Sequence, residues 1–191
     1  MAYNSTAWTT DGNTQSVGAA TLYKEFGLFD FSPTAGRHNT MVSMNSVAIQ
    51  GGESYESNDI GGTGTDPVTS LDVSEDAESV RSLMAAMWYV EDNMVIDEIR
   101  VIAGADGNQA INFHVMSYDM DISSNHGDLS SGTLLAHIGS SISATSTTIK
   151  TDTLTIDSSS VAAGKIVLAF AEAETGTDDI SCQMTIKYHL S

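Results

Sequence analysis

The chain of 191 residues has a single cysteine, Cys182. One thiol cannot make an internal disulfide or a cysteine-based zinc site. Cations are scarce as well: seven Lys and Arg stand against 25 Asp and Glu, a formal charge of −18. Nucleic-acid phosphates need a cationic face, and anionic membranes attract polybasic segments, so neither is expected as a partner. No apolar run reaches the roughly 18 residues needed to span a bilayer. Residues Met1 to Thr6 carry neither a basic nor an apolar signal region, so the chain is read as non-secreted.

Catalytic patterns are missing too. There is no Gly-x-Ser-x-Gly elbow, and Cys182 lies on the inward phase of an alternating segment, where a thiol is an inert core residue. The histidines (38, 114, 126, 137 and 189) are scattered, with no His-x-His or His-Glu-x-x-His spacing. His114 falls on the outward phase of its segment. Gly61-Gly62-Thr63-Gly64 is followed by Thr65 and Asp66 rather than the lysine of a phosphate loop. The loop Asp119–Asp128 has oxygen ligands at steps of two, as calcium loops do, but Ser124 and Ser130 stand where an EF-hand needs Gly and Glu. Turn chemistry explains the same letters. Acidic pairs such as Glu53/Glu56, Glu172/Glu174 and Asp178/Asp179 are expected by chance at this density of acids. No enzyme, no metal and no cofactor is expected.

What the chain does have is hydroxyls, with 25 serines and 20 threonines, and only 17% charged residues. Thr fits a pleated strand, while Ser, Asn and Gly supply turns. From residue 94 the strand period is regular. Met94–Ala103 and Ala110–Asp119 flank the hairpin marker Asp106-Gly107. Thr133–Ile138 and Thr147–Ile156 come next. Lys165–Ala173 is almost wholly apolar and should be buried on both faces. Ser181–His189 alternates, with Cys182, Met184, Ile186 and Tyr188 inward. Glycines at 127, 132, 139, 164 and 176 separate these runs. Short strands at this spacing indicate an all-β fold: a single β-sandwich of jelly-roll type, spanning residues 41–191.

Residues 1–40 read as an N-terminal arm. The first twenty are polar and aperiodic, and Ala19–Phe26 has the composition of a short helix. Tyr3, Trp8, Tyr23, Phe26, Phe29 and Phe31 are six of the chain's thirteen aromatics. Such a segment cannot easily form its own core, so its aromatics must be covered by the sandwich, a sister subunit or a partner surface. These six are the candidate partner-binding residues. Residues 51–66 read as a long Gly-rich surface loop. Residues 79–90 fit either a short helix or a strand.

The stretches Ile96-Asp97-Glu98-Ile99-Arg100-Val101, Asn112-Phe113-His114-Val115, Ser117-Tyr118-Asp119-Met120-Asp121 and Gly127-Asp128-Leu129-Ser130-Ser131-Gly132 form one pattern with Ile166–Phe170 and Met184-Thr185-Ile186-Lys187-Tyr188. It resembles β-rich virion structural proteins of tailed bacteriophages, over roughly residues 94–190. The resemblance brings no catalytic residues. It implies a jelly-roll-like module that decorates a capsid or builds a fibre. The reading favoured is a non-enzymatic capsid decoration or cement protein on the virion exterior, assembled in the host cytoplasm. Its partner would be the major capsid protein or another virion protein, and it would form a homo-oligomer, with a trimer favoured. The alternative is a tail-fibre or tail-tip module that binds a host glycan, with Trp88-Tyr89 beside Glu91, Asp92 and Asn93 as the platform.

Overall fold

The computed structural model describes residues 8–10, 13–15, 20–43, 60–71, 83–121, 128–175 and 178–191, the first two of these as backbone only. Two short strands, β1 (Trp8–Thr10) and β2 (Asn13–Gln15), pair as a separate hairpin. Then come β3 (Leu22–Phe31), β4 (His38–Thr40) and β5 (Val42–Ser43). A single helical turn at 83–86 precedes β6 (Trp88–Tyr89). The long strands β7 (Met94–Ala105) and β8 (Gln109–Met120) come next, followed by β9 (Leu129–His137). Short strands β10 (Ile142–Ala144), β11 (Lys150–Thr153), β12 (Thr155–Ile156) and β13 (Ser160–Val161) lead to β14 (Ile166–Ala173) and β15 (Ile180–Leu190).

The strands of the sandwich form two antiparallel sheets. One runs β11-β7-β15-β3-β5, with β13 also on β7; the other runs β12-β9-β8-β14-β4, with β10 on β8 and β6 on β14. The pairing is nested. The first long strand of the sandwich pairs with the last (β3 with β15), then β4 with β14, β7 with β11 and β8 with β9. A chain that doubles back on itself in this order and lays successive pairs in opposite sheets is a jelly roll. The expected β-sandwich is therefore the observed one.

The core between the sheets takes one face of each strand. Phe26, Ile99, Val101, Phe113, Val115, Val167, Ala169, Met184 and Ile186 are all essentially inaccessible there. Each large side chain so buried contributes about 1.5–3 kcal/mol. Strand β14 is buried on both faces, as its unbroken apolar run requires. Val167, Ala169 and Ala171 point into the sandwich, while Ile166, Leu168 and Phe170 join a second cluster on the outer face with Leu71, Leu83, Ala86, Met116, Tyr118 and Leu129. That outer cluster exists because two segments, 60–71 and 83–87, lie across the sheet.

Four expectations need correction. The Asp106-Gly107 turn does not close a hairpin; β7 and β8 lie in different sheets, so the turn carries the chain from one sheet to the other. The sandwich starts at Leu22 and not near residue 41, because β3 is a full strand between β15 and β5. The short helix over Ala19–Phe26 is not formed; Phe26 pairs with Met184 and Lys24 with Ile186. His114 is not on a solvent-facing side, since the strap at 60–71 covers it and leaves it 6% exposed. Residues 79–90, open between helix and strand in the sequence, combine both where described: the helical turn and then β6.

Candidate functional site

The candidate aromatics separate by their side of β3. Phe26 is fully buried in the core, and Phe31 is half-buried against it. Phe26 is thus a core residue and not a docking contact. Tyr23 and Phe29 point outward and are 60% and 57% exposed. Trp8 belongs to β1, and Tyr3 lies outside the described residues.

Tyr23 and Phe29 stand on the outer face of the six-stranded sheet. The cross-strand row Ile102–Gln183–Gly27 and the row Arg100–Thr185–Glu25 run between them. Ile102 is itself 47% exposed. Arg100 pairs with Glu98 on the same strand, and Lys187 lies opposite both Tyr23 and Glu98. The result is a mixed face: two aromatics and an isoleucine among Thr, Gln and paired charges. No described segment covers it, in contrast to the outer face of the other sheet. The edge strand β11, with Lys150 and Asp152, is fully exposed. A charged, four-residue edge discourages strand addition from another chain.

Lys24 lies on the inward side of β3 and is 6% exposed. Its Nζ is 5.8 Å from the centre of the Phe26 ring and 5.9 Å from that of Trp88. Burial lowers its pKa. Trp88 in turn packs on Tyr188, with ring centres 5.1 Å apart, and burial raises the Tyr188 hydroxyl. The Trp88 ring is therefore contacted by both Lys24 and Tyr188, and Asn93 accepts a hydrogen bond from the Ala163 amide. Of the glycan platform expected at Trp88 to Asn93, Tyr89, Glu91, Asp92 and Asn93 are exposed, while Trp88 is half-buried.

Four chain segments converge at one end of the jelly roll. The end of β3, the β7–β8 turn, residues 145–149 and the start of β15 line a cleft of about 400 Å³ that holds Asp30, Asp106 and Asp179. Asp30 adopts a left-handed backbone, φ 52°, and its amide donates to the Ser181 hydroxyl. Ser32 donates to the Asp179 carboxylate. Gln109 ties the rim together by donating to the carbonyls of Thr175 and Asp178. The cleft combines these three carboxyl groups with the hydroxyls of residues 145–148 and Ser181.

Elsewhere, Lys165 Nζ lies 2.6 Å from the Asp119 carboxylate, at the head of the loop considered for calcium. Residues 122–127 of that loop lie outside the described residues. Among the described residues no group of three or more His, Cys, Asp or Glu is arranged to hold a metal ion. Cys182 is buried, which pushes its thiol up to about 12 and suppresses the thiolate. No helix among the described residues is long and apolar enough to cross a membrane.

No protein-family model matches the chain, and no curated protein matches it. Among solved structures it is similar to one titled "Structure of infectious bursal disease virus Gx strain". The identity is 5%, the TM-score is 0.22, and the match covers 97% of this chain and 44% of that one. The chain thus spans less than half the length of that neighbour.

Lys24, the edge-to-face contact between the His38 and His114 rings, 4.9 Å apart at their centres, and the acidic cleft are not legible as sites in the sequence. Lys24 interrupts an inward apolar phase, which is the one signal that marks it. The others depend on residues brought together from distant parts of the chain.

Proposed function

We propose that the chain is a non-enzymatic bacteriophage virion structural protein, a decoration protein that bridges neighbouring capsomers. The observation that carries this reading is the uncovered outer face of the six-stranded sheet, with Tyr23, Phe29 and Ile102 exposed beside Arg100 and Lys187. Aromatic side chains with polar surroundings are the usual composition of a protein-binding patch. The opposite sheet is covered by its own chain, so docking is one-sided. The charge of −18 fits display on a particle exterior, where like charges limit aggregation. The N-terminal segment carrying Tyr3 and Trp8 would engage the same or a neighbouring subunit, and self-association would cover the remaining apolar surface.

Stoichiometry in purified particles tests the reading. A decoration protein occurs in a copy number comparable with the major capsid protein. A tail-fibre or tail-tip module occurs at a small fraction of it, and that result would overturn the proposal.

A further inference from the structure

The outer face of the seven-stranded sheet ends in a pair of histidines. His38 on β4 and His114 on β8 meet edge to face, with ring centres 4.9 Å apart, under the strap formed by residues 60–71. His38 is fully buried. Its Nδ1 donates to the Gly62 carbonyl at 3.1 Å. His38 Nε2 and His114 Nδ1 are buried with no hydrogen-bond partner. Buried nitrogens of that kind are tolerable while the rings are neutral and very costly once charged.

The strap is fastened at the same place. Gly61 donates to the His38 carbonyl, His38 donates back to Gly62, and Val68 donates to Gly61. Further along, Tyr118 Oη donates to the Val68 carbonyl at 2.8 Å, Gly132 donates to Thr69, and Leu71 exchanges two backbone bonds with Leu129. Apart from those bonds, the strap is held by Ile60, Val68 and Leu71 packing on the outer cluster.

We propose that the His38–His114 contact makes the 60–71 strap an acid-released cover: flat on the sheet while His114 is neutral, and lifted when His114 takes a proton. The groups that face His114 decide the sign. Burial comes first and disfavours the imidazolium. From β4, His38 opposes it. From the strap, Asp66 favours it, with its carboxylate 3.8 Å from His114 Nε2. From β9, His137 opposes it, and Asp157, bound to His137 at 2.7 Å, favours it. Glu172 on β14 stands 3.6 Å from His38 Nε2 and also accepts from Asn112, so it serves the other ring. Asp66 is 58% exposed, so water screens the one close countercharge. The balance lowers His114 from 6.5 to about 4. A group held below its open-state value contributes its full closing effect above pH 6.5, and loses it as pH falls from 6.5 towards 4. Water reaches His114 when the strap lifts, so the proton is bound in the open form.

The docking face lies on the other sheet, so this device does not depend on the proposed function. Hydrogen exchange on the full chain tests it. Between pH 7.5 and pH 5, after correction for intrinsic exchange, protection of peptides covering 60–71 should fall about 30-fold in the native protein. Peptides from β7 and β15 should keep theirs. His114→Phe and His114→Gln, which cannot take the charge, should hold strap protection at pH 5. Unchanged wild-type protection at pH 5, equal loss in both variants, or simultaneous loss in β7 and β15 would overturn the proposal. An NMR titration of the wild-type His114 ring gives a reading that needs no variant: a midpoint well below 6.5 supports it, and one at or above 6.5 contradicts it.

Discussion

Gly61 is a small residue with no spare room around it. A Cβ added there would meet the His38 side chain, the His38 carbonyl at 2.8 Å and the Phe170 ring at 2.9 Å. The strap lies flat because its backbone can approach β4 and β14 this closely. Gly61→Ala should therefore cost about 1–3 kcal/mol through overpacking and lower Tm by roughly 3–10 °C in a thermal melt. Gly104 is the control, since a Cβ there meets nothing within 4 Å. Gly104→Ala should leave Tm nearly unchanged, and a similar loss in both variants would show that the close approach at Gly61 is not the cause. By sequence alone, Gly61 and Gly62 belong to a surface loop. Nothing local reveals that they press on His38, because the contact joins residues more than twenty apart, on a strand and a strap.

Elements meet the same limit. Strands β7, β8, β14 and β15 are legible because their residues obey a simple rule. The first, second and fourth alternate apolar with polar residues over most of their length, and β14 is apolar but for Glu172. Strand β3 is not legible. Lys24 stands at an inward position, and Phe26, Gly27 and Leu28 are buried consecutively, which breaks the period of two. By pattern it belongs with the polar residues before it, yet it bonds along most of its length to β15. His114 deceives for a related reason. The alternation of β8 is real, but its second face meets the strap instead of water. Deleting residues 2–20 should leave a folded domain with near-native far-UV circular dichroism. Deleting residues 2–31 removes the strand between β15 and β5 and should abolish folding. A folded domain after the longer deletion would mean that β3 is dispensable, contrary to its place in the core.

Across the molecule, the two sheets are finished differently. One is covered on its outer face by segments 60–71 and 83–87, which bury Leu168, Phe170 and Tyr118. The other presents Tyr23, Phe29 and Ile102 without a described cover. In a chain this acidic, two of the seven cations, Arg100 and Lys187, lie on that open face. The all-β class and the sandwich are legible from strand spacing. The asymmetry between the sheets is not, since it depends on where the strap crosses. If the open face is the docking face, its two aromatics carry the binding. The decisive measurement is co-sedimentation with undecorated particles, comparing wild type with Tyr23→Ser/Phe29→Ser. Both side chains point away from the core, so the variant should melt as the wild type does. It should lose particle binding by tenfold or more, since an aromatic anchor is worth about 2 kcal/mol. A variant that folds normally and binds particles as tightly as the wild type would contradict the assignment of this face.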